Sequence, residues 1–278
     1  MMCRLYGVSR DGYNSWRRRG QSRRRVEDSE FYVLIKQIFD KHEGCYGSPK
    51  ITREIRKSGL AVGQKRVARI MREHGLKAVK AKLYRTRKFK SVYDKASPNR
   101  IYEVKITGEN QVWVGDVTYI RMPDDSWRYV SVILDKYSRR IVAWSLSDKR
   151  DVRLTIKTLE RAVRNRGHHE GLIFHSDKGI EYVASSFRAR LSRYGIVQSM
   201  NRVGEMNDNA HMESFFQQFK TERIKRRYFK NSKDLRDILS KYARYYNEER
   251  SHSSIRYLSP SEFESKIEAN KAVCAKAG

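Results

Sequence analysis

From Gln111 to Lys149 the chain carries three β-branched and aromatic runs in succession, QVWVGDVTYIRM, WRYVSVILDKYSR and RIVAWSLSDK. Turn chemistry divides them at Pro123-Asp124-Asp125-Ser126 and at Ser138-Arg139-Arg140. Runs of this kind predict three antiparallel strands joined by tight turns. The hydrophobic period then changes. Residues 151–166 place Leu154, Ile156, Leu159 and Val163 at helical spacing, and GLIFHSDKG reads as a short buried strand. A helix follows over 184–194 with Phe187 and Leu191 inward, then a strand near Val197, then helices over about 208–227 and 232–249. Three hairpin strands followed by alternating helices and strands specify the α/β class, a mixed sheet covered by helices on both faces.

The segment before these strands is of another kind. Ser9 precedes a stretch with Tyr13 and Trp16, as the cap of a short helix does. Between Val26 and Lys41 the residues Phe31, Leu34, Ile35, Ile38 and Phe39 fall at helical spacing. Ser48 as cap, Pro49 at the first helical position and Gly59 as terminator predict a further short helix. Another runs through Val67, Ile70 and Met71 to His74-Gly75, with Lys65, Arg66, Arg69 and Arg72 on its face. That face suits a DNA groove or backbone, or is a solvated surface.

Charge separates the same two regions. Residues 1–100 hold 27 basic and 9 acidic side chains, net +18, and residues 101–278 hold 33 and 23, net +10. Such an excess binds polyanions through counterion release and does not say which nucleic acid. Residues 77–100 contain nine basic side chains and one acid, with Tyr84, Phe89 and Tyr93 interleaved, and read as a basic linker. The expected divisions are therefore a basic helical region at 1–76, a linker at 77–105, a mixed α/β core at 106–227 and a helical extension at 228–278. With 278 residues the chain is long enough for about two domains. No apolar run approaches the ~18–20 residues that span a bilayer, and the N-terminus lacks a secretory signal. Cys3, Cys45 and Cys274 stand far apart, which argues against a disulfide framework or zinc motif and for a cytoplasmic protein.

Three acids invite a site hypothesis. Asp116 sits inside the apolar run Trp113 to Tyr119, where a carboxylate is costly unless paired, hydrogen-bonded or bound to a metal. Asp177 ends the fourth strand in His175-Ser176-Asp177-Lys178-Gly179, a place for a site or for an ordinary turn aspartate. Glu213 lies beside the stripe Met212, Phe215, Phe216 and Phe219, on a face shared with Gln217 and Lys220. His175 either assists at such a site or packs at the strand end. Tyr242, Tyr245 and Tyr246 fall at helical spacing and suit packing better than base stacking, whereas Arg250 and His252 suit a phosphate or a helix C-terminus.

The phrases WVGDVTYI, HSDKGIEY, DNAHMESFFQQFK and YYNEERSHSSIRYLSPSEF, in this order, resemble the bacterial insertion-sequence transposases of the two-reading-frame type. The likeness is to their second-frame product, an Asp-Asp-Glu recombinase related to retroviral integrases. YGSPKITREIRKSGLAVGQKRVARIMREHGLKA looks like that family's helical DNA-binding region, so the resemblance extends over most of the chain.

The resemblance implies a ribonuclease H-like core behind a small all-α helix-turn-helix domain. It implies Asp116, Asp177 and Glu213 as the catalytic and metal-binding triad, with Lys220 touching the transposon end. It implies two Mg²⁺ ions, with Mn²⁺ as an alternative, and metal-dependent cleavage and strand transfer at insertion-sequence ends. Its expected partners are double-stranded DNA, further copies of the chain on DNA and the upstream-frame product. Two hard cations on oxygen ligands fit phosphodiester transfer on chemical grounds as well. The alternatives are a catalytically silent DNA-binding regulator of the same descent and an RNA-binding basic protein. A retroviral-type integrase is disfavoured because its His-His-Cys-Cys zinc module is absent from the first hundred residues.

Overall fold

Side-chain alternation along the first strand decides where both halves of the core lie. The computed structural model describes residues 5–18, 22–79, 97–102, 104–202, 209–225 and 228–276. In β1 (Val112–Arg121), Val112, Val114 and Ile120 point to one face and Trp113 to the other, as a period of two requires. β2 (Trp127–Asp135) pairs antiparallel with β1, and β3 (Ile141–Ser147) antiparallel with β2. The chain crosses over through α5 (Val152–Arg166) into β4 (Ile173–Ser176), which lies parallel to β1. β5 (Val197–Met200) then pairs parallel with β4, giving the order β3-β2-β1-β4-β5.

The face bearing Trp113 is covered by α5, by the one-turn α6 (Ile180–Val183) and by α7 (Ser185–Arg193), through Leu159, Tyr182, Phe187 and Leu191. Asp151 caps α5 by accepting from the Leu154 amide at 3.1 Å, and Gly167 at φ +82° ends it. The opposite face is covered by α8 (Ala210–Phe219) and α9 (Ser232–Glu248). Met212, Phe215, Phe216 and Phe219 are buried there against Val112, Val114, Tyr242 and Tyr246. Burial of each such side chain contributes about 1.5–3 kcal/mol. The last helix, α10 (Pro260–Lys276), is tied back by Glu264, which accepts from Arg140 Nη1 at 3.1 Å and from Arg166.

Both rims of the sheet are occupied. On β3, Asn247 accepts from the Ile141 amide at 2.8 Å and donates to the Ile141 carbonyl at 3.0 Å. Asn165 and Arg161 donate to the carbonyls of Val142 and Trp144. Along β5, the Arg100 amide donates to Ser199 Oγ at 2.9 Å and the Met200 amide to the Pro98 carbonyl at 3.4 Å. The end of the segment expected as a linker thus runs along the sheet, with Ile101 in the core. Tyr84, Phe89 and Tyr93, expected to track a phosphate backbone, lie outside the described residues.

Residues 1–80 form a separate unit. Its short α1 (Arg10–Arg18) is capped by Ser9 Oγ, which accepts from the Gly12 amide at 3.0 Å, and has no buried residue. α2 (Arg23–Lys41), α3 (Ser48–Lys57) and α4 (Gln64–Glu73) enclose a core of Ile35, Tyr46, Ile51, Ile55, Val67 and Ile70. Ser48 begins α3 and Gly47 caps it, one residue earlier than Pro49 at the first position predicts. Gly59 and Gly75 take φ +85° and +67° where these helices end, as their sequence positions predict.

Gly115 carries the β1–β4 contact. A Cβ built there would lie 2.4 Å from Phe174 Cζ, and Phe174 is itself held by Tyr182 and Phe187. Gly115→Ala is therefore expected to destabilise the catalytic unit by about 1–3 kcal/mol through overpacking, read as a lowered urea midpoint. An unchanged midpoint would show that the ring yields freely.

Candidate active site and DNA-binding face

Register places two carboxylates together. Gly115 pairs with Ser176 across the parallel strands, so Asp116 is the next residue along β1 and Asp177 the first residue beyond β4. Asp116 shares the α8-covered face with Val112 and Val114 by alternation. Neither acid is well compensated. Asp116 Oδ1 accepts from the Val117 amide at 2.7 Å, and Asp177 Oδ1 from the Gly179 amide at 3.0 Å.

The buried Asp135 makes the contrast. It receives the amides of Asn110, Tyr137 and Ser138 and the Ser138 hydroxyl, and it serves the β2–β3 turn. Burial and then the charge of Asp177 push the Asp116 carboxyl well above the ordinary carboxylate range. Asp177 is raised too, by burial first and also by the nearby Glu181. Two carboxylates held together with one amide donor each form a poor structural device.

Among the described residues no group of three or more His, Cys, Asp or Glu side chains is close enough to hold a metal. The structure brings Asp116 and Asp177 together and leaves Glu213 exposed on α8, its carboxyl raised by burial alone. Residues 203–208, which lead into α8, lie outside the described residues. Lys220 Nζ stands 4.9 Å from the Tyr119 ring centroid on β1. Burial lowers its pKa and the charge of Asp116 acts to raise it.

After Lys220 the helix widens into a π turn, Lys220–Ile224, in which the Lys225 amide donates to the Lys220 carbonyl at 2.9 Å. Such turns are rare and often adjoin functional residues. This one buries Glu222, which accepts from Arg250 Nη2 at 2.7 Å, from Arg250 Nε at 3.1 Å and from Tyr242 Oη at 3.3 Å. The Arg223 guanidinium lies 4.8 Å from the Tyr245 ring centroid. Arg250, for which a phosphate or a helix end was expected, is instead the internal partner of Glu222, with a side-chain exposure of 6%. His175 is fully buried between Ser199 Oγ at 2.9 Å and Asn201 Oδ1 at 2.8 Å, the packed histidine of the two alternatives.

Sequence reasoning missed Glu181 and Arg150. Glu181 is 3% exposed, and its Oε1 accepts from Arg150 Nε at 3.1 Å and Nη2 at 2.9 Å. The available signal was an acid four residues after Asp177, flanked by Ile180 and Tyr182.

In the N-terminal unit the basic face of α4 is divided. Arg66 Nε donates to Asp28 Oδ1 at 2.6 Å and Arg69 Nη2 to Asp28 Oδ2 at 2.5 Å, which joins α4 to α2. The hydrogen bond from Arg69 is the main reason the Asp28 carboxyl sits below its usual range. Lys65 and Arg72 are exposed.

Two integrase core domain families match residues 106–205 and 194–260, and an HTH-like domain family matches residues 26–84. The chain is 32% identical over 267 residues to the insertion element IS600 uncharacterized 31 kDa protein of Shigella sonnei, covering 95% of this chain and 98% of that one. It is 35% identical over 249 residues to the transposase for insertion sequence element IS904 of Lactococcus lactis, covering 88% of this chain and 98% of that one. It is 32% identical over 269 residues to transposase InsF for insertion sequence IS3A of Escherichia coli, covering 95% and 93%. A solved structure of the HTLV-2 integrase catalytic core domain in complex with magnesium is similar at 17% identity and a TM-score of 0.41, covering 56% of this chain and 94% of that one. The chain belongs to the insertion-sequence transposases. It is a DNA transposase with an integrase core built on a mixed five-stranded sheet flanked by helices and an HTH-like N-terminal region, as the sequence resemblance implied. Among the described residues no helix is long and apolar enough to cross a membrane.

Two outcomes follow from this geometry. The folded Asp116 and Asp177 carboxyls bind protons more tightly than unfolded aspartates, whose pKa is about 3.9. Their contribution to stability is thus present at low pH and lost as pH rises from that value through the raised folded values. In chelator, Asp116→Asn should raise the thermal midpoint at neutral pH, with the gain closing toward the acid end. A lowered midpoint at neutral pH would make Asp116 a structural acid. Arg250→Ala leaves the Glu222 charge buried without its main partner and should cost about 3–5 kcal/mol in denaturant unfolding. A loss under 1 kcal/mol would show that Tyr242 and solvent suffice.

Proposed function

We propose that the chain performs divalent-metal-dependent cleavage and strand transfer of DNA at insertion-sequence ends, with Asp116, Asp177 and Glu213 as its catalytic acids. The observation that carries this reading is the Asp116–Asp177 pair, set side by side by the β1–β4 register and given one amide each. Its chemistry fits a hard cation, which is usually held by one or two carboxylates together with water and phosphate oxygens. Asp116 and Asp177 would hold Mg²⁺ or Mn²⁺ ions, which when bound would neutralise phosphate oxygens and activate the attacking oxygen, and Glu213 would supply a third acid from the helix that covers the same face of β1.

Lys220 stands where the field of Asp116 reaches it and is assigned to a phosphate of the element end. In the N-terminal unit Lys65 and Arg72 are assigned to DNA phosphates. Arg66 and Arg69 present what remains of their surface while holding α2 in place. On this reading the protein acts in the bacterial cytoplasm on double-stranded DNA, as an oligomer joining two ends, with the upstream-frame product as a further partner.

The test is a cleavage and strand-transfer assay on duplexes carrying the element's terminal repeats, with Mg²⁺, Mn²⁺ or EDTA. Asp116→Asn, Asp177→Asn and Glu213→Gln should each lower product by about a hundredfold or more, because each loses transition-state charge stabilisation worth several kcal/mol. Salt-sensitive DNA binding should be retained. Wild-type yield from any of the three removes that residue from the set. DNA binding without product in the wild type, even when fused to the upstream frame, would leave a regulator in place of an enzyme.

A further inference from the structure

Glu181 is more buried than the salt bridge it forms would require. Its side chain is 2% exposed and that of Arg150 45%, so this is no surface pair. Arg150 satisfies only Oε1, through Nε and Nη2. Glu181 Oε2 is buried with no hydrogen-bond partner. A carboxylate oxygen in that state carries an uncompensated desolvation cost.

The direction of the free oxygen is informative. A Cβ built on Gly179 would lie 2.9 Å from Asp177 Oδ1 and 3.1 Å from Glu181 Oε2, so both oxygens face one point. Only a residue without a side chain leaves that space open. The three acids nonetheless form no group tight enough to share a cation directly. Direct ligation by Glu181 is thereby disfavoured, and the partner left to Oε2 is a water.

We propose that Glu181 is a positioning residue for the divalent-cation site on Asp116 and Asp177: its free Oε2 accepts a hydrogen bond from a cation-bound water, while Arg150 fixes the carboxylate through Oε1. The inference rests on the metal-dependent reading above. A purely structural Arg150–Glu181 tie between the β3–α5 connection and α6 explains Oε1 and leaves Oε2 at a cost. Mg²⁺ keeps several of its waters when protein-bound, and each needs an acceptor. Groups that hold such outer ligands typically govern 10- to 100-fold in metal affinity.

The experiment titrates the full chain with Mn²⁺ alone, without DNA, by calorimetry and by the paramagnetic resonance of free Mn²⁺. Asp116→Asn serves as the reference and Glu181→Gln as the test, since Gln keeps an acceptor for Arg150. Glu181→Gln should weaken Mn²⁺ binding about 10- to 100-fold, with the melting temperature in EDTA undiminished. Glu181→Leu removes the carboxylate by another route and should show the same loss, which covers a folding failure of the first variant. Wild-type affinity in a folded Glu181 variant, with binding lost in Asp116→Asn, reduces the pair to a structural tie and overturns the proposal. Wild-type affinity in Asp116→Asn as well overturns the metal-site reading beneath it.

Discussion

The parallel pairing of β1 with β4 is the constraint from which the site follows. Once Gly115 stands opposite Ser176, Asp116 and Asp177 have no choice but to be neighbours, and the cost of that proximity is built into the fold. The pairing itself depends on a close approach, because Phe174 occupies the space a side chain at 115 would need. The aromatic group of Phe174, Tyr182 and Phe187 therefore does two things at once. It fills the core on one face of the sheet and fixes the distance between charges at the edge of the other.

Much of this was legible in the sequence. The three hairpin strands declared themselves through period-two runs broken by turn residues, α5 through the spacing of Leu154, Ile156, Leu159 and Val163, and α9 through that of Tyr242, Tyr245 and Tyr246; their caps Asp151 and Asn231 emerge only in the structure. Asp116 stood out because a charge inside an apolar run needs an explanation. The π turn at Lys220–Ile224 was not legible, since widening a helix by one residue leaves no mark in composition. Neither were the roles of Arg66 and Arg69: their partner Asp28 lies 38 and 41 residues away, and propensity does not carry such information. Glu181 resembled a surface acid in a turn, and only burial distinguishes it.

The same contrast explains why counting charges misleads at the level of single residues. An excess of basic side chains sets the attraction for polyanions, yet individual arginines are drawn inward by individual acids. Arg250 is held by Glu222 and Arg166 by Glu264. Each guanidinium offers several donors in a rigid fork, which suits it to an internal carboxylate as well as to a phosphate.

The closed rims of the sheet have a consequence for how copies of this chain can meet. A bare outer strand is a template on which another chain can extend the ladder, and crowding several copies on one stretch of DNA would invite it. Here Asn247, Asn165 and Arg161 hold backbone groups of β3, and the segment around Pro98 to Arg100 runs along β5. A contact between copies that leaves these bonds intact is one of side-chain surfaces or of shared nucleic acid, with no strand of one copy extending the sheet of another.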